Sequence, residues 1–167
     1  MSDSPTPMEV SAEELTVIVA AVLDGARPAD VAGIPQEQLE ALYALGYNLY
    51  TAGRYEDSRT VFQGLCLYDQ TDSRFWSGLG ASLQGGGQFE KAIDVYSMAA
   101  MTTGLADPAP IYYAAQCYLK MGRPEEAVAA LEGIPVLGEE GNAAHEAVKT
   151  KAAGLLSALK AGKEAPQ

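Results

Sequence analysis

The chain has 167 residues, enough for one domain with a core or for a short repeat array, and its 48% hydrophobic and 20% charged residues describe a folded protein. A formal net charge of -11 sets it against nucleic acid and against anionic lipid; a basic or apolar protein partner stays open, as does a charge that serves solubility alone. The opening MSDSPTPMEV lacks a basic stretch ahead of an apolar run, and the longest apolar run, Val17–Leu23, is short of a membrane span, so a cytoplasmic location without stable membrane association is expected.

In chain order, Glu9–Gly25 reads as a helix with Ser11 and Glu14 as a capping box and Leu15, Val19, Val22 and Leu23 on one side. Val10, Val17, Ile18 and Val22 exceed what one contact face requires, which marks the helix for dimerisation with a second copy. Arg27–Ile34 is a connector punctuated by proline and glycine. The next helix, Glu37–Thr51, carries two stripes. Leu39, Leu42, Leu45 and Leu49 recur at helical spacing, and Tyr43, Tyr47 and Tyr50 form a second band about 90 to 110° around the cylinder. The leucines are expected to point at neighbouring helices, leaving the tyrosines for something else.

The following residues repeat. Gly53, Tyr55, Glu56 and Phe62 recur as Gly87, Phe89, Glu90 and Tyr96 at an offset of 34, and Gly87 and Ala92 recur as Gly122 and Ala127 at an offset of 35, with the extra residue in Gly104–Pro110. Each unit reads as helix, turn, helix, with the glycine ending the first helix in the left-handed conformation. Ala92 and Ala127 allow two helices to approach, and Phe62, Tyr96 and Leu131 fill the space beside them. Cys66 and Cys117 are isolated in apolar helical runs and read as reduced, buried thiols. Glu139–Ala161 reads as a last amphipathic helix carrying Val148, Leu155, Leu156 and Leu159, while Asp3–Pro7 and Gly162–Gln167 read as frayed ends.

This pattern resembles the tetratricopeptide repeat, most clearly in the middle unit with Trp76, Leu79, Gly80, Gly87, Phe89, Ala92, Tyr96 and Ala99. The departures are Ser58 for the favoured alanine, Leu49 and Leu83 for tyrosine, Ile111 for tryptophan, Ala114-Ala115 for Leu-Gly, and Pro124 for an aromatic. The expected fold is therefore all-α, a tetratricopeptide-repeat superhelix of three helix-turn-helix repeats (36–135) between an N-terminal helix and connector (1–35) and a C-terminal capping helix and tail (136–167).

In such a stack the first helices line the concave face. There the peptide-binding groove would be built from Tyr43, Tyr47, Asn48 and Tyr50 of the first unit, Ser77 and Ala81 of the second, and Tyr112, Tyr113 and Gln116 of the third. The competing account is that the tyrosines are packing, here against the N-terminal helix. No cofactor, metal or nucleotide signature appears: there is one histidine, His145, and "GGGQ" at Gly85–Gln88 lacks the Lys-Ser/Thr of a phosphate loop. The carboxylate pairs Glu56-Asp57, Glu125-Glu126 and Glu139-Glu140 read as helix starts, not as an enzyme's acid and base, so the protein reads as no enzyme.

The strings "LYALGYNLYTAGRYEDSRTVFQGLCLYD" (Leu42–Asp69), "DSRFWSGLGASLQ" (Asp72–Gln84) and "YAAQCYLKMG" (Tyr113–Gly122) resemble the bacterial type III secretion chaperones of the translocator class. That resemblance implies a cytosolic chaperone that keeps hydrophobic translocator proteins soluble until secretion, with an extended cargo segment in the concave groove and homodimers formed through the N-terminal region. It places Tyr43, Tyr47, Tyr50 and Tyr112 at aromatic groove positions. The alternative is a general repeat scaffold bridging components of a secretion or assembly machine, for which binding would weaken steeply with salt.

Overall fold

In the computed structural model, which describes residues 11–164, nine α-helices follow one another among the described residues. They are α1 (Ala12–Leu23), α2 (Pro28–Val31), α3 (Gln36–Thr51), α4 (Tyr55–Tyr68), α5 (Ser73–Gly85), α6 (Phe89–Thr102), α7 (Ala109–Lys120), α8 (Pro124–Gly133) and α9 (Ala143–Glu164). Successive helices from α3 to α8 pack against one another, α3 also meets α5, and α9 closes the far end on α7 and α8. This is the helical superhelix of three repeats that the sequence period describes.

The turns follow from one residue type. Gly53, Gly87 and Gly122 have φ of 74°, 75° and 71°, a conformation that side chains resist. Each closes the same pair of bonds. Gly53 N donates to Tyr50 O at 2.9 Å and Arg54 N to Leu49 O at 2.9 Å, and Gly87 with Gln88, and Gly122 with Arg123, repeat the pattern. Acidic residues then open the next helix, as Glu56 and Asp57 do in α4 and Glu125 and Glu126 in α8, and Pro124 occupies the first turn of α8, where its missing N–H costs nothing.

The main core joins Leu39, Phe62, Leu65, Phe75, Leu79, Leu83, Ile93, Tyr96 and both buried thiols, Cys66 and Cys117. The small residues sit where the helices touch: Ala92 and Ala127 are fully buried. At the same place in the first unit Ser58 is buried too, and its hydroxyl is satisfied twice, donating to Gly46 O at 2.8 Å and meeting Ser82 Oγ at 2.8 Å. Ser82 Oγ also lies 2.8 Å from Gly78 O, and its single proton serves either that carbonyl or Ser58 Oγ. A second cluster of Ala115, Leu131, Ile134 and Ala152 is covered by Leu155, Leu156 and Leu159 of α9, so the last helix does cap the array.

Four expectations change. The leucine stripe of α3 is not the buried stripe: only Leu39 is fully buried, while Leu42 and Leu45 are 37% and 48% exposed. The inward face is instead Leu39, Tyr43, Gly46 and Tyr50, because Gly46 lets the Phe62 ring come close where a side chain would bar it. The connector after α1 contains a helix, α2, whose Ala29 is fully buried. Arg27 just before it pairs with the buried Asp69 at 2.8 Å. The last helix begins at Ala143, not Glu139, since Gly138 and Gly141 have φ of 87° and 79° and Asn142 Oδ1 accepts from Ala144 N and His145 N; Glu139-Glu140 therefore lie ahead of it. It also runs on to Glu164, through the expected frayed start at Gly162. Glu9, Val10, the Asp3–Pro7 segment and the side chains of Glu14, Leu15 and Ile18 lie outside the described residues.

Candidate functional site

The first helices of the three units, α3, α5 and α7, face a common hollow. One lobe, about 360 Å³, is walled by Tyr43, Tyr47 and Tyr50 of α3, by Ser73, Arg74, Ser77, Gly78 and Ala81 of α5, and by Asp107, Ala109 and Tyr113, with Phe62 beneath. A second lobe, about 510 Å³, shares Tyr50, Ser77, Ala81 and Tyr113 and continues to Gln84, Gly85, Phe89, Tyr96, Gln116 and Lys120. The two form one trough with aromatic walls and a floor of small residues.

Packing decides how narrow that floor is. The Phe62 ring lies between two helices that have no side chain in its way: a Cβ on Gly46 would stand 2.9 Å from its Cε2, and one on Gly78 would stand 2.6 Å from its Cδ1 and nearer to Cε1 and Cζ. Tyr43 meets the same ring edge-on, centroids 5.7 Å apart, and also contacts Phe75 at 6.1 Å. Tyr43 is thus half core and half wall. Tyr47 is 54% exposed and belongs to the wall alone. Tyr50 meets Tyr55 with the rings tilted and their centroids 5.6 Å apart, and burial, with Tyr55, Tyr113 and Tyr47 nearby, pushes its hydroxyl pKa up. Tyr113 meets Tyr96 at 5.6 Å, while the Tyr96 hydroxyl donates to Gln84 Oε1 at 2.7 Å.

Of the residues singled out from the sequence, Tyr43, Tyr47, Tyr50, Ser77, Ala81, Tyr113 and Gln116 come together around this trough. Asn48 does not: it is exposed on α3 away from the lining. Tyr112 packs instead against the second core of Ala115, Leu131, Ile134 and Ala152. Val17 is exposed and Val22 half-buried on α1, which packs chiefly on α2. Val10, and the side chain of Ile18, fall outside the described residues.

Sequence reasoning missed Phe62, Arg74, Asp107 and Lys120. The repeat offset of 35 carries Gly78 to Tyr113 and Gly85 to Lys120, so the register held the signal for Lys120. Arg74 lies over the Tyr43 ring, 5.2 Å from its centroid, and its guanidinium is tied to Glu40 and Asp72, each at 2.6 Å. Those bonds from Arg74 hold the Glu40 carboxyl below the usual carboxylate range. No cluster of three His, Cys, Asp or Glu side chains among the described residues could hold a metal.

Comparison with known proteins follows the same lines. Tetratricopeptide repeat profiles match residues 39–72, 73–101 and 111–134. Low calcium response locus protein H of Yersinia pestis is 39% identical over 131 residues, 78% of this chain and 77% of that protein. The structure of a T3SS complex from Aeromonas hydrophila superimposes with a TM-score of 0.80 at 34% identity, over 90% of this chain and 99% of that one. The Yersinia enterocolitica type III secretion translocator chaperone SycD gives 0.73 at 36% identity, over 80% and 98%. SycD in complex with a peptide of the translocator YopD gives 0.68 at 37%, over 78% and 98%. With the repeats, the trough and this degree of identity over most of both chains, the chain belongs to the tetratricopeptide-repeat family of type III secretion translocator chaperones.

Proposed function

We propose that this protein is a cytosolic chaperone that binds hydrophobic translocator proteins through an extended segment seated in the trough of α3, α5 and α7, and keeps them soluble until secretion. The observation that carries the reading is the aromatic-walled trough itself, in a chain whose relative SycD has been crystallised with a translocator peptide. A protein that must enter a bilayer aggregates if its apolar segments stay in water. Covering one extended segment against Tyr43, Tyr47, Tyr50 and Tyr113 shields it with a modest interface and requires no chemical step. The exposed apolar side chains of α1, Val17, Val19 and Leu23, support a homodimer formed through this region.

The test separates wall from core. Tyr47→Ala removes an exposed aromatic that packs on nothing internal, so the variant should keep its stability and lose about tenfold in affinity for a soluble translocator fragment, measured by calorimetry. Unchanged affinity in Tyr47→Ala and in a folded Tyr43→Ala would overturn the assignment. Tyr43→Ala alone is a poorer probe because it also removes contacts to Phe62 and Phe75.

A further inference from the structure

The charges lining the trough are lopsided, and we infer from them that the bound cargo segment carries a carboxylate, an Asp or Glu, at one end of its apolar stretch, paired with Lys120. This rests on the reading that the trough holds an extended segment. Three charged side chains reach the lining: Arg74, Asp107 and Lys120. Arg74 is already satisfied by Glu40 and Asp72, at 2.6 Å each, and lies over the Tyr43 ring. Two carboxylates on one guanidinium leave that end of the trough negative. Asp107 adds to it: its Oδ1 accepts from Ala109 N at 2.8 Å and lies 4.0 Å from Nε2 of His145.

Lys120 is different. It stands at the opposite end, beside Gln84 and Gln116, and no carboxylate among the described residues pairs with it. The Gln84 carbonyl is taken by the Tyr96 hydroxyl, so it does not neutralise the ammonium either. In a chain of net charge -11, a cation left unpaired on the wall of a binding trough is a counter-charge in waiting. Its place in the last turn of α7 suits the helix dipole, which accounts for a cation there but not for its facing the trough.

Geometry sets where on the cargo the carboxylate falls. The 12 residues of α7 span about 18 Å, which five to six residues of extended chain cover. An Asp or Glu against Lys120 therefore lies about five to six residues from the side chain seated near Asp107 and Arg74. At that end another carboxylate is repelled, and a neutral or basic side chain fits.

The test is a selection from displayed random dodecapeptides on the full chain, run in parallel with Lys120→Glu and Lys120→Met. The expected result is apolar peptides with Asp or Glu enriched at one end by roughly threefold or more on the native chain, lost with Lys120→Met and replaced by Lys or Arg with Lys120→Glu, the apolar preference unchanged in all three. Apolar peptides without an acidic end, or with one that survives both substitutions, overturn the inference and leave the trough reading standing. No apolar preference on any of the three chains overturns both. Should Lys120→Glu fail to fold by circular dichroism, Lys120→Met carries the same decision.

Discussion

Gly78→Ala tests the packing that shapes the trough. Gly78 lies within α5, where alanine for glycine favours the helix by about 1 kcal/mol. Here the new methyl would stand 2.6 Å from Phe62 Cδ1 and closer to Cε1 and Cζ. The ring has no retreat: it is 2% exposed, presses on Gly46 from the other side, and carries Tyr43 on its edge. Overpacking of this kind costs about 1–3 kcal/mol, so the net expectation is a loss of up to about 2 kcal/mol, or a drop in Tm of up to about 8 °C. Gly64→Ala is the control. It lies in α4 with nothing within 4 Å of an added Cβ, so it should gain up to about 1 kcal/mol. Urea unfolding followed by circular dichroism at about 222 nm reads both. Pairing Gly78→Ala with Phe62→Leu should give a favourable coupling of about 1 kcal/mol, since the smaller side chain makes room for the methyl. Equal stability of Gly78→Ala and Gly64→Ala would refute the reasoning.

Two further outcomes are expected. Burial alone would raise the Asp69 pKa, but bonds from Thr71 and Arg27 outweigh it and hold the carboxyl below its ordinary 3.8, so the pair stabilises the fold above that value and its contribution fades as pH falls through the lower folded pKa. The Tm of the native chain should therefore drop more steeply below about pH 5 than that of Asp69→Asn, and parallel curves would count against the pair. Burial pushes the Cys66 and Cys117 thiols up to about 12 and about 11, so neither should react with a disulfide reagent at about pH 8 in the folded protein, and both should react in denaturant.

What the sequence revealed depended on what repeats. A period of 34 and 35 residues, with glycine at each turn, specifies helix pairs that cannot bury their faces alone, and the stack follows. The same register brought Tyr43, Tyr47, Tyr50, Ser77, Ala81 and Tyr113 to one side. It failed for α3 because a count of large apolar residues overlooks glycine. Gly46 on the inner face does the work assigned to Leu42 and Leu45, by admitting a ring from another helix. The short α2 was hidden for a related reason. PADV has one buried side chain, Ala29, and its anchor is an ion pair, Arg27 to Asp69, 42 residues away. Arg74 was likewise illegible, since nothing local says that a charged residue at a helix start leans over a tyrosine two helices back, and nothing local brings Asp107, ahead of α7, to the trough.

The Phe62 ring belongs at once to the joint between α3, α4 and α5 and to the surface a guest would touch. Such shared ownership divides the trough into parts that can diverge and parts that cannot. A larger or smaller guest cannot be accommodated by recutting the floor, because every change there loosens or jams the first two repeats. Adaptation to a new guest is confined to the rim, at Tyr47, Tyr113, Gln116 and Lys120, whose side chains can change without disturbing the joint. Anyone redesigning the specificity of this scaffold should expect tolerated variants to gather along that edge.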